Sequence, residues 1–312
     1  MAVYTMEPER STLHGSFSRD YPPALTIDSG DTVRFRTLDS GWGLEPSRGP
    51  GIARKSFEPR IKDQDSGHAL CGPVAVRGAE PGMTLEVQID AIRPGAWGGT
   101  YAGGPYREIN RRLGVVDHEE ALLWTLDPDA LMGRDQYGHT LSLRPFLGVM
   151  GMPPAEPGIH STIPPRRTGG NIDCKELVAG STLYLPIEVA GALFSVGDGH
   201  GTQADGEVCG TAIECPMERV ELTFRLRDDL RLTTPRAQTP AGWITFGFDA
   251  NLNEATLIAL DAMLDLLREQ HQLERHQALA LASLVVDLRV TQIVNQVWGV
   301  HAVLPPGALQ KS

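Results

Sequence analysis

The densest set of reactive side chains lies between Phe194 and Glu214, in Phe-Ser-Val-Gly-Asp198-Gly-His200-Gly-Thr-Gln203-Ala-Asp205-Gly-Glu207-Val-Cys209-Gly-Thr-Ala-Ile-Glu214. Two aspartates, a histidine and a glutamate fall within ten residues here. The glycines between them let the backbone turn so that the side chains can converge. A carboxylate two residues from an imidazole suits zinc or a harder divalent ion, since oxygen and nitrogen donors serve both. The same residues would also serve a solvated loop, because Asp and Gly are common turn formers. The expected geometry is a strand that runs into a loop at this point.

Two further clusters stand out. In Gly67-His68-Ala-Leu-Cys71-Gly72-Pro73-Val74, His68 precedes what reads as a Gly-Pro turn into a strand, which would place it at a sheet end. The segment 163–176 contains Gly169-Gly170-Asn171-Ile-Asp173-Cys174-Lys175-Glu176, a turn that offers amide and carboxylate groups beside a lysine. Neither is a zincin, P-loop, nucleophile-elbow or dinucleotide-binding signature. The glycine-rich stretch 95–104 lacks the Lys-Ser/Thr ending of a phosphate loop and reads as a surface loop or pocket rim.

The elements that must position these groups are mainly β. Asp31-Thr-Val-Arg-Phe-Arg-Thr-Leu38 puts Val33, Phe35 and Thr37 on one face and charge on the other. The run from Met83 to Asp90 turns Met83, Leu85, Val87 and Ile89 inward, after a Gly78-Ala-Glu-Pro-Gly82 turn. Strand patterns recur over 121–126, 141–146, 182–189, 192–196 and 219–226. Beyond Pro240 the period changes. Residues 253–270 predict a helix capped by Asn253, with Leu257, Leu260, Leu264 and Leu267 as its stripe. A second helix is predicted over 273–286, and strands over 288–295 and 298–304. The expectation is one domain over 1–312, β-rich from 20 to 230 and α+β from 240 to 305. Its fold is a β-sandwich of antiparallel sheets with a small α-helical addition near the C-terminus.

Glycine and proline, 34 and 23 of 312 residues, exceed their usual share and argue against a helix bundle. A net charge of −11 repels phosphate backbones and anionic membranes, so nucleic-acid and membrane partners are not expected. The longest apolar run, 278–286, is too short to span a bilayer. Four well-separated cysteines and an N-terminus without an apolar signal segment point to a cytoplasmic protein with reduced thiols.

Four ordered segments resemble the acetamidase/formamidase family: Gly67–Val74 with Gly78–Gly82; Arg144–Gly151; Ser161–Pro165 with Gly169–Asp173; and Leu193–His200 with Asp205–Glu214. The ending Val286–Asn295 is similar to that family's ending, so the likeness spans about residues 20 to 305. The loop His200-Gly-Thr-Gln-Ala-Asp205 departs from the family's pattern, which has small Ala residues after the histidine and Gly before the aspartate. Cys174 stands where a polar residue is usual. The resemblance implies hydrolysis of short linear amides such as formamide or acetamide, a β-sandwich-type fold and a homo-oligomer.

Amide hydrolysis needs a nucleophile, an oxyanion stabiliser and an acid for the leaving amine. Without the Ser-Ser-Lys or Glu-Lys-Cys signature of other amidases, a metal-activated water is the economical route. In that reading His68, Asp173, Asp198 and His200 hold a divalent ion, zinc or calcium. Glu207 and Asp205 are catalytic, with Glu207 as general base and acid, and Asn171 or Gln203 holds the amide. One alternative is a cysteine nucleophile, Cys174 or Cys71, activated by His68 or Lys175. Another is a β-sandwich that binds a small ligand without catalysis.

Overall fold

A computed structural model describes residues 1–310. The larger of its two main sheets has nine strands, in the order Val3–Met6, Thr32–Thr37, Met217–Arg227, Thr84–Pro94, Thr182–Pro186, Arg236–Thr239, Gly242–Asp249, Trp298–Leu304 and Asp287–Gln292. All neighbours are antiparallel except the first pair. Strand structure therefore begins at Val3 rather than near residue 20, and the C-terminal α+β segment extends the same sheet. The predicted alternation holds in Thr32–Thr37, where Val33, Phe35 and Thr37 are buried and Arg34 and Arg36 exposed.

The second sheet orders Gly169–Asn171, Phe146–Gly151, Phe194–His200, Leu70–Val76 and Leu13–His14, with Leu25–Ile27 parallel to Leu70–Val76. Phe146–Gly151, Phe194–His200 and Leu70–Val76 are buried at every position, the signature of strands covered on both faces. One covering is the nine-stranded sheet, against which Phe194 packs edge-on to Phe224 with ring centroids 5.1 Å apart. The sandwich expectation is thus borne out. Cys71-Gly72-Pro73 lies inside strand Leu70–Val76 and is not the turn the dipeptide suggested, because flanking strands pair with it on both sides.

The stretch taken for a loop, 95–104, instead holds strand Trp97–Gly103. It completes a four-stranded sheet with Glu119–Asp127, Met132–Asp135 and Thr140–Ser142. Gly98 and Gly99 serve close packing here: a Cβ at Gly98 would come within 2.9 Å of Ile213 and the Glu214 carbonyl.

Helix Leu252–His271 lies on the nine-stranded sheet and is capped by Asn251, whose side chain accepts the Asn253 N–H at 2.9 Å. Its buried face is Ala255, Ala259, Met263, Leu264, Leu266 and Leu267, while Leu257 is exposed. The small alanines win because the helix backbone sits directly over Gly247, where a Cβ would meet Ala255 and Ala259 backbone atoms. Helix Arg275–Val285 follows, and a short helix, Glu108–Leu113, lies earlier in the chain. Strand Asp287–Gln292 ends before the predicted Asn295 because the Gln292 side chain accepts the Val294 and Asn295 N–H groups at 2.9 and 3.0 Å. Among the described residues no helix is long and apolar enough to cross a membrane.

Buried His14 is held neutral. Its Nδ1 donates to the Ser16 carbonyl at 2.7 Å, leaving Nε2 to accept from the Ser195 hydroxyl at 3.0 Å. Burial pushes its pKa down to about 4. In the unfolded chain it takes up a proton near pH 6.5, so between these values the unfolded state binds more protons. Stability is therefore lost as pH falls through this window, by about 2 kcal/mol between pH 7 and 4.5. Urea unfolding of His14→Gln is expected to show a pH dependence shallower by about that amount; curves that stay parallel to the unsubstituted protein would show that His14 titrates normally.

Candidate active site

Asp198 and His200, two apart on strand Phe194–His200, project from the same face. They lie on the strand itself, not on the loop predicted for them, because pairing with Phe146–Gly151 continues through Gly199 and His200 while Leu70–Val76 pairs as far as Gly197. Strand Gly169–Asn171 pairs with the far side of Phe146–Gly151, and the chain leaving it brings Asp173 over Gly148, to whose carbonyl the Asp173 N–H donates at 3.2 Å. A Cβ at Gly148 would lie within 2.8 Å of Asp198 Oδ2, Asp173 Oδ1 and His200 Cε1, so the three groups occupy the space a side chain would fill. Asp173, Asp198 and Glu207 all adopt the left-handed backbone region, with φ of 52°, 58° and 44°. Each such residue costs on the order of 1 kcal/mol, and that strain is tolerated mainly where a side chain must be aimed.

Glu214 completes the cluster by bridging opposite His200. His200 Nε2 lies 3.4 Å from both Asp198 Oδ1 and Glu214 Oε1, and its Nδ1 3.9 Å from Asp173 Oδ1. Asp173, Asp198, His200, Glu207 and Glu214 are all buried. Burial opposes a charge on His200, but Glu214 and Asp198 override it and hold its pKa well above the ordinary value. Burial would likewise raise Asp198, yet the charge of His200, followed by that of His68, keeps it below the usual carboxylate range. Asp173 is pushed up to about 7, first by burial and then by the charges of Asp198 and Glu214, against the pull of His200. Glu207 is raised well above its ordinary value by burial and by Asp173.

Four carboxylates around one imidazole cannot all ionise in so dry a setting without a further cation, since an unpaired buried charge costs several kcal/mol. Asp173 Oδ1, His200 Nδ1 and Glu207 Oε2 are buried without hydrogen-bond partners. Donor atoms of Asp173, Asp198 and His200, and of His200, Glu207 and Glu214, lie within 4.8 Å of one another. The cluster is a buried acidic and histidine group that could bind a divalent metal ion, and its mixed oxygen and nitrogen donors fit one.

Asp173, Asp198, His200 and Glu207 thus come together as the sequence suggested. Gln203 contacts Asp173 in this cluster, and Asn171, at the end of strand Gly169–Asn171, lies two residues before Asp173. The Asn171 Nδ2 donates to the Ile163 carbonyl at 3.1 Å and the Gln203 Nε2 to the Asp173 carbonyl at 2.9 Å, while the carbonyl oxygen of each side chain is buried and unpartnered. Asp205 stands aside in an ion pair with Lys175 at 2.9 Å. His68 belongs to neither donor group; its Nδ1 and backbone N–H both meet Thr162 Oγ1, at 2.7 and 3.0 Å.

Sequence reading did not single out Glu214, anchored by Ser40 Oγ and the Ala212 N–H at 2.9 Å each, or Asn295, which donates to Asp173 Oδ2. A carboxylate set between Ala212-Ile213 and Cys215 was the available signal for Glu214. Burial pushes the Cys71 and Cys174 thiols up to about 12, and Lys175 is already committed to Asp205, so neither cysteine is set up as a nucleophile.

A cavity of about 430 Å³ adjoins the cluster, with Gln203 and Glu207 in its lining. A larger groove of about 650 Å³, between residues 107–113 and 293–298, includes none of the acidic cluster.

The crowding at Gly148 yields a direct test. Gly148→Ala is expected to weaken zinc binding, read by calorimetry, by about tenfold or more while the far-UV spectrum is kept. Unchanged affinity in the folded variant would show that these three side chains do not form one site.

Comparison with known proteins fits this geometry. An acetamidase of Mycolicibacterium smegmatis is 28% identical over 270 residues, covering 64% of this chain and 63% of that protein. A formamidase of Methylophilus methylotrophus is 26% identical over 257 residues, covering 65% and 61%. The chain therefore spans less than two thirds of the length of these relatives. A crystal structure of an acetamidase from Bacillus halodurans superposes with a TM-score of 0.83 at 25% identity, over 96% of this chain and 97% of that one. The profile of the acetamidase/formamidase family matches residues 3–159 and 155–309, nearly the entire sequence, and the chain belongs to that family.

Proposed function

We propose that the protein hydrolyses linear carboxamides, adding water across the C–N bond to give a carboxylate and ammonia. The observation that carries this reading is the dry cluster of Asp173, Asp198, His200, Glu207 and Glu214, bordered by a cavity and by unpaired amide oxygens. The names of the acetamidase and formamidase relatives agree with it.

Asp173, Asp198 and His200 would hold a divalent ion, zinc or calcium. Bound there, such an ion would supply Lewis acidity, polarising the amide carbonyl and acidifying water. Glu207 is assigned the proton transfers. Its unpartnered Oε2 takes the proton of the attacking water and returns it to the leaving nitrogen, and burial together with the Asp173 charge raises its affinity for that proton. Gln203 Oε1 and Asn171 Oδ1 are acceptors without donors, and the NH₂ group of an amide supplies those donors. Asp205, tied to Lys175, fixes the loop that carries Glu207 and acts as a positioning residue.

Four free cysteines accord with a reducing cytoplasm. A homo-oligomer is part of the same reading.

Ammonia release from formamide, acetamide and propionamide tests the activity, and no release from any of them would leave a ligand-binding role instead. His200→Ala and Glu207→Gln are each expected to lower turnover by about 10²-fold or more with folding retained. Two folded variants with near wild-type turnover would remove these residues from the mechanism. Exhaustive chelation should abolish activity, and full activity with no detectable metal would exclude the ion.

A further inference from the structure

We infer that the acyl side of the substrate is a medium-length apolar chain rather than hydrogen or methyl. This rests on the amidase reading of the same site. The 430 Å³ cavity that borders Gln203 and Glu207 is walled by Leu122, Trp124, Leu141, Val208 and Ile213. Acetamide would fill a small part of a space that holds roughly a dozen waters.

Most polar side-chain atoms of the walls are already spent on the protein. The Trp124 indole N–H donates to Thr100 Oγ1 at 3.1 Å, and the Thr100 hydroxyl donates to the Ala212 carbonyl at 2.7 Å. The Thr211 hydroxyl donates to the Tyr101 carbonyl at 3.0 Å and accepts the Tyr101 N–H at 2.9 Å. Asp205 is paired with Lys175. What remains for a ligand is mostly carbon on the walls, together with the Thr202 hydroxyl, while the unpaired oxygens of Gln203 and Glu207 are buried beside the cluster.

Such a cavity holds an amide head at its polar end and leaves an alkyl tail along its sides, a division typical of small-molecule sites. Leu141 and Val208, both exposed, stand in its lining, where an alkyl tail can cover part of their surface.

The test compares kcat/KM for formamide, acetamide, butyramide and hexanamide. Each buried methylene is expected to raise it about fourfold, and hexanamide to exceed acetamide by about 10²-fold. Leu141→Ser, on a short exposed strand, should lower the hexanamide-to-acetamide ratio about threefold. A specificity constant that falls with chain length would overturn the inference and leave the amidase reading intact. If no amide releases ammonia, the amidase reading fails, and binding of the same amides by calorimetry decides: hexanamide tighter than acetamide supports the apolar acyl cavity, and equal or weaker binding overturns it.

Discussion

Everything in this structure bends to one electrostatic constraint: four carboxylates and a histidine are taken out of water together. Isolated, each buried charge would cost several kcal/mol, so they are tolerable only as a mutually neutralising set. His200 is the centre of that set, within 3.4 Å of Asp198 and Glu214 and 3.9 Å of Asp173. Two of its carboxylates are also anchored from outside by neutral donors, Asn295 on Asp173 and both Ser40 and the Ala212 N–H on Glu214. Neutral donors suit this task because they steady a carboxylate without discharging it.

The fold supplies the dryness. Strands Phe146–Gly151, Phe194–His200 and Leu70–Val76 are covered on both faces, which is rare for half-solvated antiparallel sheets and normal for strands inside layered folds. Burying both faces leaves little room, and Gly148 is where that room is found. The strained backbone at Asp173, Asp198 and Glu207 follows from the same demand. A regular strand would send alternate side chains to opposite faces, whereas the cluster needs carboxylates from three segments to meet at one point. The apolar contact of Phe194 with Phe224 helps to offset the cost, holding the strand that carries Asp198 and His200 against the larger sheet.

Much of this was legible in the sequence, and the rest was hidden for identifiable reasons. Alternation marked strands such as Thr32–Thr37 because one of their faces meets solvent or charge. Segments 95–104 and 197–200 read as loops because they are rich in glycine, yet they are strands in which glycine serves close approach rather than turning. Gly72-Pro73 misled in the same way. Asn251 rather than Asn253 caps the long helix, an error of one short step that pattern reading cannot resolve. The convergence of Asp173, Asp198, His200 and Glu207 was legible because glycines stand close to them in the sequence. Glu214 was harder to see: its neighbours in sequence are core residues, and only the pairing of two distant segments reveals that it faces His200.

The cluster has two ways to balance its charge, and they are coupled. Protons can do it, and Asp173 and Glu207 are the members whose environments favour holding one. A divalent cation can do it as well, but ligands bind a metal only after giving up their protons. The two carboxylates are not equivalent in this respect. Asp173 Oδ2 is held by Asn295, and its other oxygen sits among the donor atoms shared with Asp198 and His200. Glu207 Oε2 has no partner inside the protein, and the residue lines the cavity. Loss of the Asp173 proton to a cation would add a negative charge beside Glu207, and that charge is second only to burial in raising Glu207; the cation's own charge acts the other way. With an ion bound, the balance between these opposing effects would set the proton affinity of Glu207, so the group proposed for acid–base chemistry would be tuned by the group proposed for ion binding.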